Sequence, residues 1–257
     1  MSSTSLPYDR HVGRYSRTLA TALVRFSGLG GDGRALDVGC GTGALTSALA
    51  AVLGAQRVAA VDVSPAAVEA TAHAVPGADV RVASAERLPF ADAEFTAVLS
   101  QLVIDKIDGP AALQEMRRVV RPGGVVAACV WDFEAGMTLL RAYWDAALAV
   151  DPRGAESAGA GERPPYTRPQ ELRELWIGAG LDAVQVGELV AAADYRDVDD
   201  AWWSFAAGVG TSGAYCATLD ESTRDALKAE FSRRLGDPEG PFRLTARAWS
   251  VRGTSPL

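Results

Sequence analysis

Arg34-Ala-Leu-Asp-Val-Gly-Cys-Gly-Thr-Gly-Ala-Leu-Thr46 is the stretch that decides the fold. Its first part, Ala35–Val38, is short and apolar apart from Asp37. Three glycines follow at alternate positions, Gly39, Gly41 and Gly43, and Leu45, Leu49, Val52 and Leu53 then fall at helical spacing. The pattern reads as strand, glycine turn, helix. Glycine turns tightly and lets a ligand approach main-chain atoms with no Cβ in the way. The start of a helix adds N–H groups that have no partner inside the helix. Such a unit suits a nucleotide-like ligand.

Working outward, residues 8–29 read as a helix with a stripe of Leu19, Leu23 and Phe26, and residues 1–5 as disordered. Tyr8, Arg10, His11, Arg14, Tyr15 and Arg17 cluster near the start of that segment. Downstream, strands at 57–62, 78–83, 95–100 and 125–131 alternate with helices at 65–74 and 109–120. Ser64-Pro65 reads as an N-cap with proline at the first helical position, and Arg121-Pro-Gly-Gly124 as a turn. Val125–Trp131 is almost continuously apolar, as in a strand buried on both faces. Strands alternating with helices imply βαβ units and a mostly parallel sheet in an α/β fold.

After Trp131 the rhythm changes. A helix is expected at 135–149, a loop at 151–169, a helix at 169–178, a strand at 182–190, helix over 197–235 and a last strand at 242–251. The expected organisation is one domain, 1–257, with a ligand-binding core at 34–131 and an N-terminal helical segment at 1–33. Helical insertions at 132–168 and 195–238 cap one end of the sheet.

The net charge of −7 disfavours a nucleic-acid partner, whose binding rests on cationic contacts to phosphate. Arg117, Arg118 and Arg121 read as a solvated helix face. No run of 18 apolar residues suggests a membrane span, and the first residues lack the pattern of a signal peptide. Cys40, Cys129 and Cys216 are too far apart to suggest a metal or redox pair. These features point to a cytoplasmic protein, monomeric or homodimeric, with no membrane partner and no metal.

Gly39-x-Gly41-x-x-Ala44 satisfies a dinucleotide fingerprint, so a nicotinamide-dependent oxidoreductase is one reading. Asp37 two residues before the first glycine, the third glycine at Gly43 and the absence of a Tyr-x-x-x-Lys pair count against it. Asp37-Val-Gly-Cys-Gly-Thr-Gly43 instead resembles the first motif of class I S-adenosylmethionine-dependent methyltransferases. Asp62 at the end of the second strand resembles that family's ribose-binding acid. Ser84-Ala-Glu-Arg-Leu-Pro-Phe90 resembles its third-strand loop, Phe95–Gln101 its fourth strand and Arg121–Gly124 the turn before its fifth. Val12–Ser16 is similar to the N-terminal region of its small-molecule, UbiE-like members. Ser84 and Thr96 stand where many relatives carry Asp.

The resemblance implies a Rossmann-like, doubly wound, seven-stranded sheet with an antiparallel last strand. It implies S-adenosyl-L-methionine as cofactor and a small, partly apolar molecule as methyl acceptor. Asp37, Gly39, Cys40, Gly41, Gly43, Asp62, Val63, Ser84, Ala85, Glu86, Ser100 and Gln101 are the expected cofactor residues, with Tyr8, Arg14 and Tyr15 closing over it and Arg14 pairing with its carboxylate. Asp105 is a candidate general base or a helix cap ahead of Gly109, and His11 a candidate base. His73 is expected to be exposed. Trp144, Trp202, Trp203 and Phe205 either line an acceptor pocket or form core. Methyl transfer needs positioning and a dry pocket more than catalytic side chains. A protein that binds the cofactor without methylating has the same cofactor loop.

Overall fold

The computed structural model describes residues 12–257. The expectations for Tyr8, His11 and residues 1–5 lie outside the described residues. Seven strands form one sheet: β1 (Ala35–Val38), β2 (Val58–Asp62), β3 (Asp79–Val82), β4 (Phe95–Gln101), β5 (Val120–Trp131), β6 (Asp182–Tyr195) and β7 (Phe242–Thr254). Their order is β3-β2-β1-β4-β5-β7-β6. The strands run parallel except β7, which lies antiparallel to β5. The chain winds outward from β1 to β3, returns, and winds the other way through β4 and β5. The carboxyl ends of β1 and β4 therefore flank the point where strand order reverses, and there an open parallel sheet leaves a crevice for a ligand.

The described chain falls into two compact units: Ser16–Asp132 with Pro164–Leu189 and Ala248–Leu257, and 12–15 with Phe133–Arg163 and Val190–Arg247. In the first unit, α1 (Ser16–Ser27) packs on α2 (Ala44–Leu53), and α4 (Gly109–Val119) packs on α7 (Pro169–Gly178). Alternate residues of the strands face opposite sides. Leu36, Val38, Val98, Val126, Ala128 and Val130 join Leu113, Met116, Val119, Leu172 and Trp176 in one buried cluster. The other helix, α3 (Pro65–Ala74), starts as its sequence predicts: Ser64 Oγ accepts from the Ala67 N–H, with Pro65 at the first position. His73 on this helix is exposed.

The second unit holds α5 (Thr138–Val150), α6 (Pro152–Ser157), α8 (Val198–Ala206), α9 (Gly210–Thr218) and α10 (Glu221–Arg234). Its core is aromatic. Tyr143 stacks on Phe205 with centroids 4.0 Å apart, and Trp202 and Phe231 close the cluster. Trp202 and Phe205 are buried in it, so of the two readings left open for them the core reading holds. Trp144 stacks on Tyr215 and is half-buried, as is Trp203.

Three local expectations change. Arg121–Gly124 lies within β5. The register shifts between Phe95↔Val120 and Ala97↔Val125, so the extra residues bulge, while Gly123 N–H and Gly124 C=O pair with the Ser255 backbone. The expected loop at 151–169 contains α6, capped by Asp151, which accepts from the Gly154 N–H, with Pro152 at its first position. The helical stretch 197–235 is three helices, and β6 runs on to Tyr195.

Arg14 donates to both carboxylate oxygens of Asp200, at 2.9 and 2.7 Å, and stacks over the Tyr195 ring. Its fork is already engaged, which corrects its assignment to a cofactor carboxylate. Tyr15 is buried, its hydroxyl 3.1 Å from that of Tyr195. Both residues tie the Val12–Tyr15 turn to the rest of their own unit.

Arg14 holds the Asp200 carboxyl down at about 2. The folded value lies below the ordinary carboxylate value of about 3.9, so the contribution is present above that value and disappears as pH falls through about 2. Asp200→Ala should cost about 2 kcal/mol at pH 7, because the charged hydrogen bonds from Arg14 are lost. Urea titrations of both proteins should converge near pH 2.

Candidate functional site

The site is built at the carboxyl ends of β1, β2 and β4. β1 delivers Asp37, which is 1% exposed. Its Oδ2 accepts from Thr46 Oγ1 of α2 at 2.6 Å, while its Oδ1 is buried with no hydrogen-bond partner. Burial pushes this carboxyl up to about 7; the Thr46 hydrogen bonds pull it down and the charge of Asp62 raises it. Leu99 is the β-register partner of Asp37, so Gln101, two residues on, shares its face. Gln101 Nε2 donates to Ser16 C=O at 3.1 Å, and its Oε1 is also buried and unpartnered. Two orphaned acceptors thus sit at the ends of neighbouring strands, on the face that carries α1 and α2. Leaving such atoms unmatched is costly, and the pair suits a cationic N–H donor from a ligand.

The glycine loop is fastened from several sides. Gly39 and Cys40 N–H both donate to Val61 C=O, at 2.8 and 2.9 Å. Asp62 accepts from Gly41 N–H through Oδ2 and from Ser64 N–H through Oδ1, each at 2.9 Å. Thr71 Oγ1 donates to Gly41 C=O at 2.8 Å. Gly41, at φ 52, has open space where a Cβ would stand, so its backbone can be approached closely. No side chain caps the start of α2. Val63, beside Asp62, is 69% exposed, an apolar surface available to a flat ring.

Gly39 is a different case. At φ +81, a Cβ there would come 2.4 Å from Val103 Cγ2. Gly39→Ala should destabilise the protein by about 2 kcal/mol, from left-handed strain and this overlap. A smaller Val103→Ala change in the same chain should return part of the loss in a thermal melt.

Residues 36–128 match the family model described as a methyltransferase domain. Over this stretch the chain is similar to S-adenosylmethionine-dependent methyltransferases. Among curated relatives, a malonyl-[acyl-carrier protein] O-methyltransferase of Hahella chejuensis is 37% identical over 126 residues, 48% of this chain and 45% of that one. A demethylmenaquinone methyltransferase of Mycobacterium sp. (strain KMS) is 36% identical over 137 residues, covering 52% and 56%. The chain spans about half the length of the curated relatives it matches. The fold extends further: the YcgJ protein of Bacillus subtilis superposes with a TM-score of 0.58 at 16% identity, over 93% of this chain and 98% of that one.

Within the matched stretch, several expected residues prove to be committed elsewhere. Ser100 is fully buried and its hydroxyl donates to Val38 C=O at 2.8 Å, so it braces β4 against β1 and offers a ligand nothing. Cys40 is buried, and burial pushes its thiol up to about 12; its N–H is taken by Val61 C=O of β2 and its thiol lies against Thr71 of α3. Asp105 is 5% exposed and both its oxygens accept from Lys106 Nζ, at 2.9 and 2.8 Å, which removes it as a free base. It is not the helix cap either: Asp108 Oδ1 takes that role, accepting from Ala111 N–H. Ser84 Oγ donates to Glu86 Oε2 and accepts from Glu86 N–H, while Glu86 Oε1 accepts from Asp108 N–H. Ala85 packs into the core cluster.

Arg118, read from sequence as solvated, organises the loop after β3. It donates to Leu88 C=O, Phe90 C=O, Asp92 and Glu115, and Glu115 accepts in turn from Leu88 N–H. Thr46, Thr71 and Val103 are further site residues that sequence reading did not find. A threonine one turn into α2 was the available signal for the Asp37 partner. Among the described residues, no group of three His, Cys, Asp or Glu is placed to hold a metal.

Proposed function

We propose that this chain transfers a methyl group from S-adenosylmethionine to a small, partly apolar acceptor. The observation that carries this reading is the pair of buried, unmatched acceptors, Asp37 Oδ1 and Gln101 Oε1, at the strand-order reversal. They fit the ammonium of the cofactor's methionine end. Asp62 keeps lone pairs on both oxygens for the ribose hydroxyls, and Val63 offers a face to the adenine. When bound, the cofactor supplies an electrophilic methyl carbon on a sulfonium.

The chain's own residues then have a positional task. Asp37 and Asp62 put negative charge beside a cationic ligand, and the glycine loop fixes its main-chain contacts. Aligning the acceptor atom behind the methyl is worth several kcal/mol of barrier, roughly 7–11 in favourable cases. A base is required only where the acceptor must lose a proton. Relatives named for malonyl-[acyl-carrier protein] and demethylmenaquinone support a metabolite or carrier-borne metabolite as acceptor. So does the net charge of −7, which disfavours nucleic acid.

Acceptor choice then rests on the parts of the chain outside the family match, 1–33, 132–168 and 195–238, with Trp144 and Trp203 as contacts. We place the protein in the cytoplasm as a monomer or homodimer; the three cysteines, all buried and unpaired, support a reducing compartment.

The test is calorimetry with S-adenosylhomocysteine and NAD, followed by incubation with labelled S-adenosylmethionine and metabolite extracts. Binding of S-adenosylhomocysteine with label in a small molecule is expected. NAD binding without S-adenosylhomocysteine binding would overturn the reading, and binding without any labelled product would reduce it to a cofactor-binding protein.

A further inference from the structure

The segment leaving β4 is held in a way that the cofactor motifs do not require. Leu102 follows Gln101 directly and adopts φ 63, a left-handed conformation that a branched side chain rarely takes. Such strain persists only where the surroundings enforce it, and it clusters at functional sites. Here the enforcement is visible. Leu102 N–H donates to Cys129 C=O at 2.8 Å, and Leu102 C=O accepts from Lys106 Nζ at 2.9 Å. The same ammonium donates to both oxygens of the buried Asp105. An ammonium has three protons, and these three contacts use them all. Lys106 is therefore not a free cation waiting for an anionic acceptor, although its side chain is 55% exposed.

On one side of the kink is Gln101, with its orphaned Oε1; on the other is Val103, which occupies the space beside Gly39 where a Cβ would stand. We propose that Lys106, anchored on Asp105 and the Leu102 carbonyl, is a positioning residue. It locks the kink after β4 and so holds Gln101 Oε1 and Val103 against the glycine loop. The proposal deepens the cofactor-site reading above and rests on it for its ligand.

The experiment compares wild type, Lys106→Met, Lys106→Arg and Asp105→Asn. Amide hydrogen exchange without ligand is followed by S-adenosylhomocysteine titration. Lys106→Met should speed exchange at 101–106 while leaving β1 and β2 protected. It should weaken S-adenosylhomocysteine by about tenfold, as expected for loss of a charged hydrogen-bond anchor. Lys106→Arg, which keeps a cationic donor, should recover most of the affinity, and Asp105→Asn, which keeps an acceptor, should fall between. Wild-type affinity in Lys106→Met would overturn the proposal, as would faster exchange across the whole first unit or failure of Lys106→Arg to rescue. If Lys106→Met does not fold, Asp105→Asn and Lys106→Arg carry the same comparison. Should wild type itself not bind S-adenosylhomocysteine, the cofactor reading fails, while the exchange measurement still decides whether Lys106 locks the kink.

Discussion

Asp37→Asn is expected to weaken S-adenosylmethionine and S-adenosylhomocysteine binding by roughly 10- to 100-fold, equivalent to about 1.5–3 kcal/mol for a charged hydrogen bond. The amide can still accept from Thr46, but it then presents an N–H where Oδ1 faced the ligand. The same substitution should stabilise the ligand-free protein at pH 8. The wild-type carboxyl is raised to about 7 by burial. Its neutral form is the one the fold tolerates. Stability is therefore full below the ordinary value of about 3.9 and falls as pH rises to about 7, after which the loss is constant, on the order of 4 kcal/mol. Asn carries no such loss, so the two proteins should have similar melting temperatures near pH 4 and diverge above. A cationic ligand favours the charged carboxylate. Wild-type affinity should thus climb as pH rises towards about 7, with proton release, and this dependence should vanish in Asp37→Asn. Calorimetry in buffers of different ionisation enthalpy reads the proton directly, and an unchanged pH profile would count against Asp37 as the ammonium partner.

Trp176→Ala should be the most damaging single change to stability, at roughly 3–5 kcal/mol. Trp176 is fully buried, lies in the cluster between the sheet and α4, and donates from its indole N–H to Val126 C=O at 3.0 Å. Domains are stable by only about 5–15 kcal/mol, so this change alone should leave a protein that unfolds well below the wild-type temperature. Trp176→Phe keeps most of the apolar volume and should lose about 1–2 kcal/mol, chiefly the hydrogen bond. Denaturant midpoints of the three proteins would order as wild type, Phe, Ala; equal midpoints for Phe and Ala would show that the indole N–H matters more than the filled volume.

The cofactor half of the molecule was legible because its chemistry is local. Asp37, three alternate glycines and the Ser64-Pro65 start occupy a short run, and each needs only its neighbours to be understood. The α6 start was equally local: Asp151-Pro152 carries the same cap signal as Ser64-Pro65, yet it sits among glycine and charge that read as loop. What could not be read depended on distant partners. Arg14 meets Asp200 186 residues away, and Arg118 meets carbonyls 28 and 30 residues back. An exposed-looking arginine has the same appearance in sequence whether it is solvated or clamps a loop. Trp202 and Phe205 show the same ambiguity, since aromatic residues at helical spacing serve equally for core and for pocket. Ser100 looked like a ligand contact because it ends a strand at the right edge, but a hydroxyl bonded to Val38 has no donor left to give.

The double engagement of Asp62 affects how this protein must be dissected. Its carboxylate staples the loop after β1, through Gly41, to the loop after β2, through Ser64. Truncating it would unfasten the ligand's cradle as well as remove any acceptor for the ribose. The affinity lost by Asp62→Ala would mix both effects and overstate the second. The cleaner probe changes the ligand and spares the protein: an analogue lacking one ribose hydroxyl leaves the staple closed, and its loss of affinity reports the sugar contact alone.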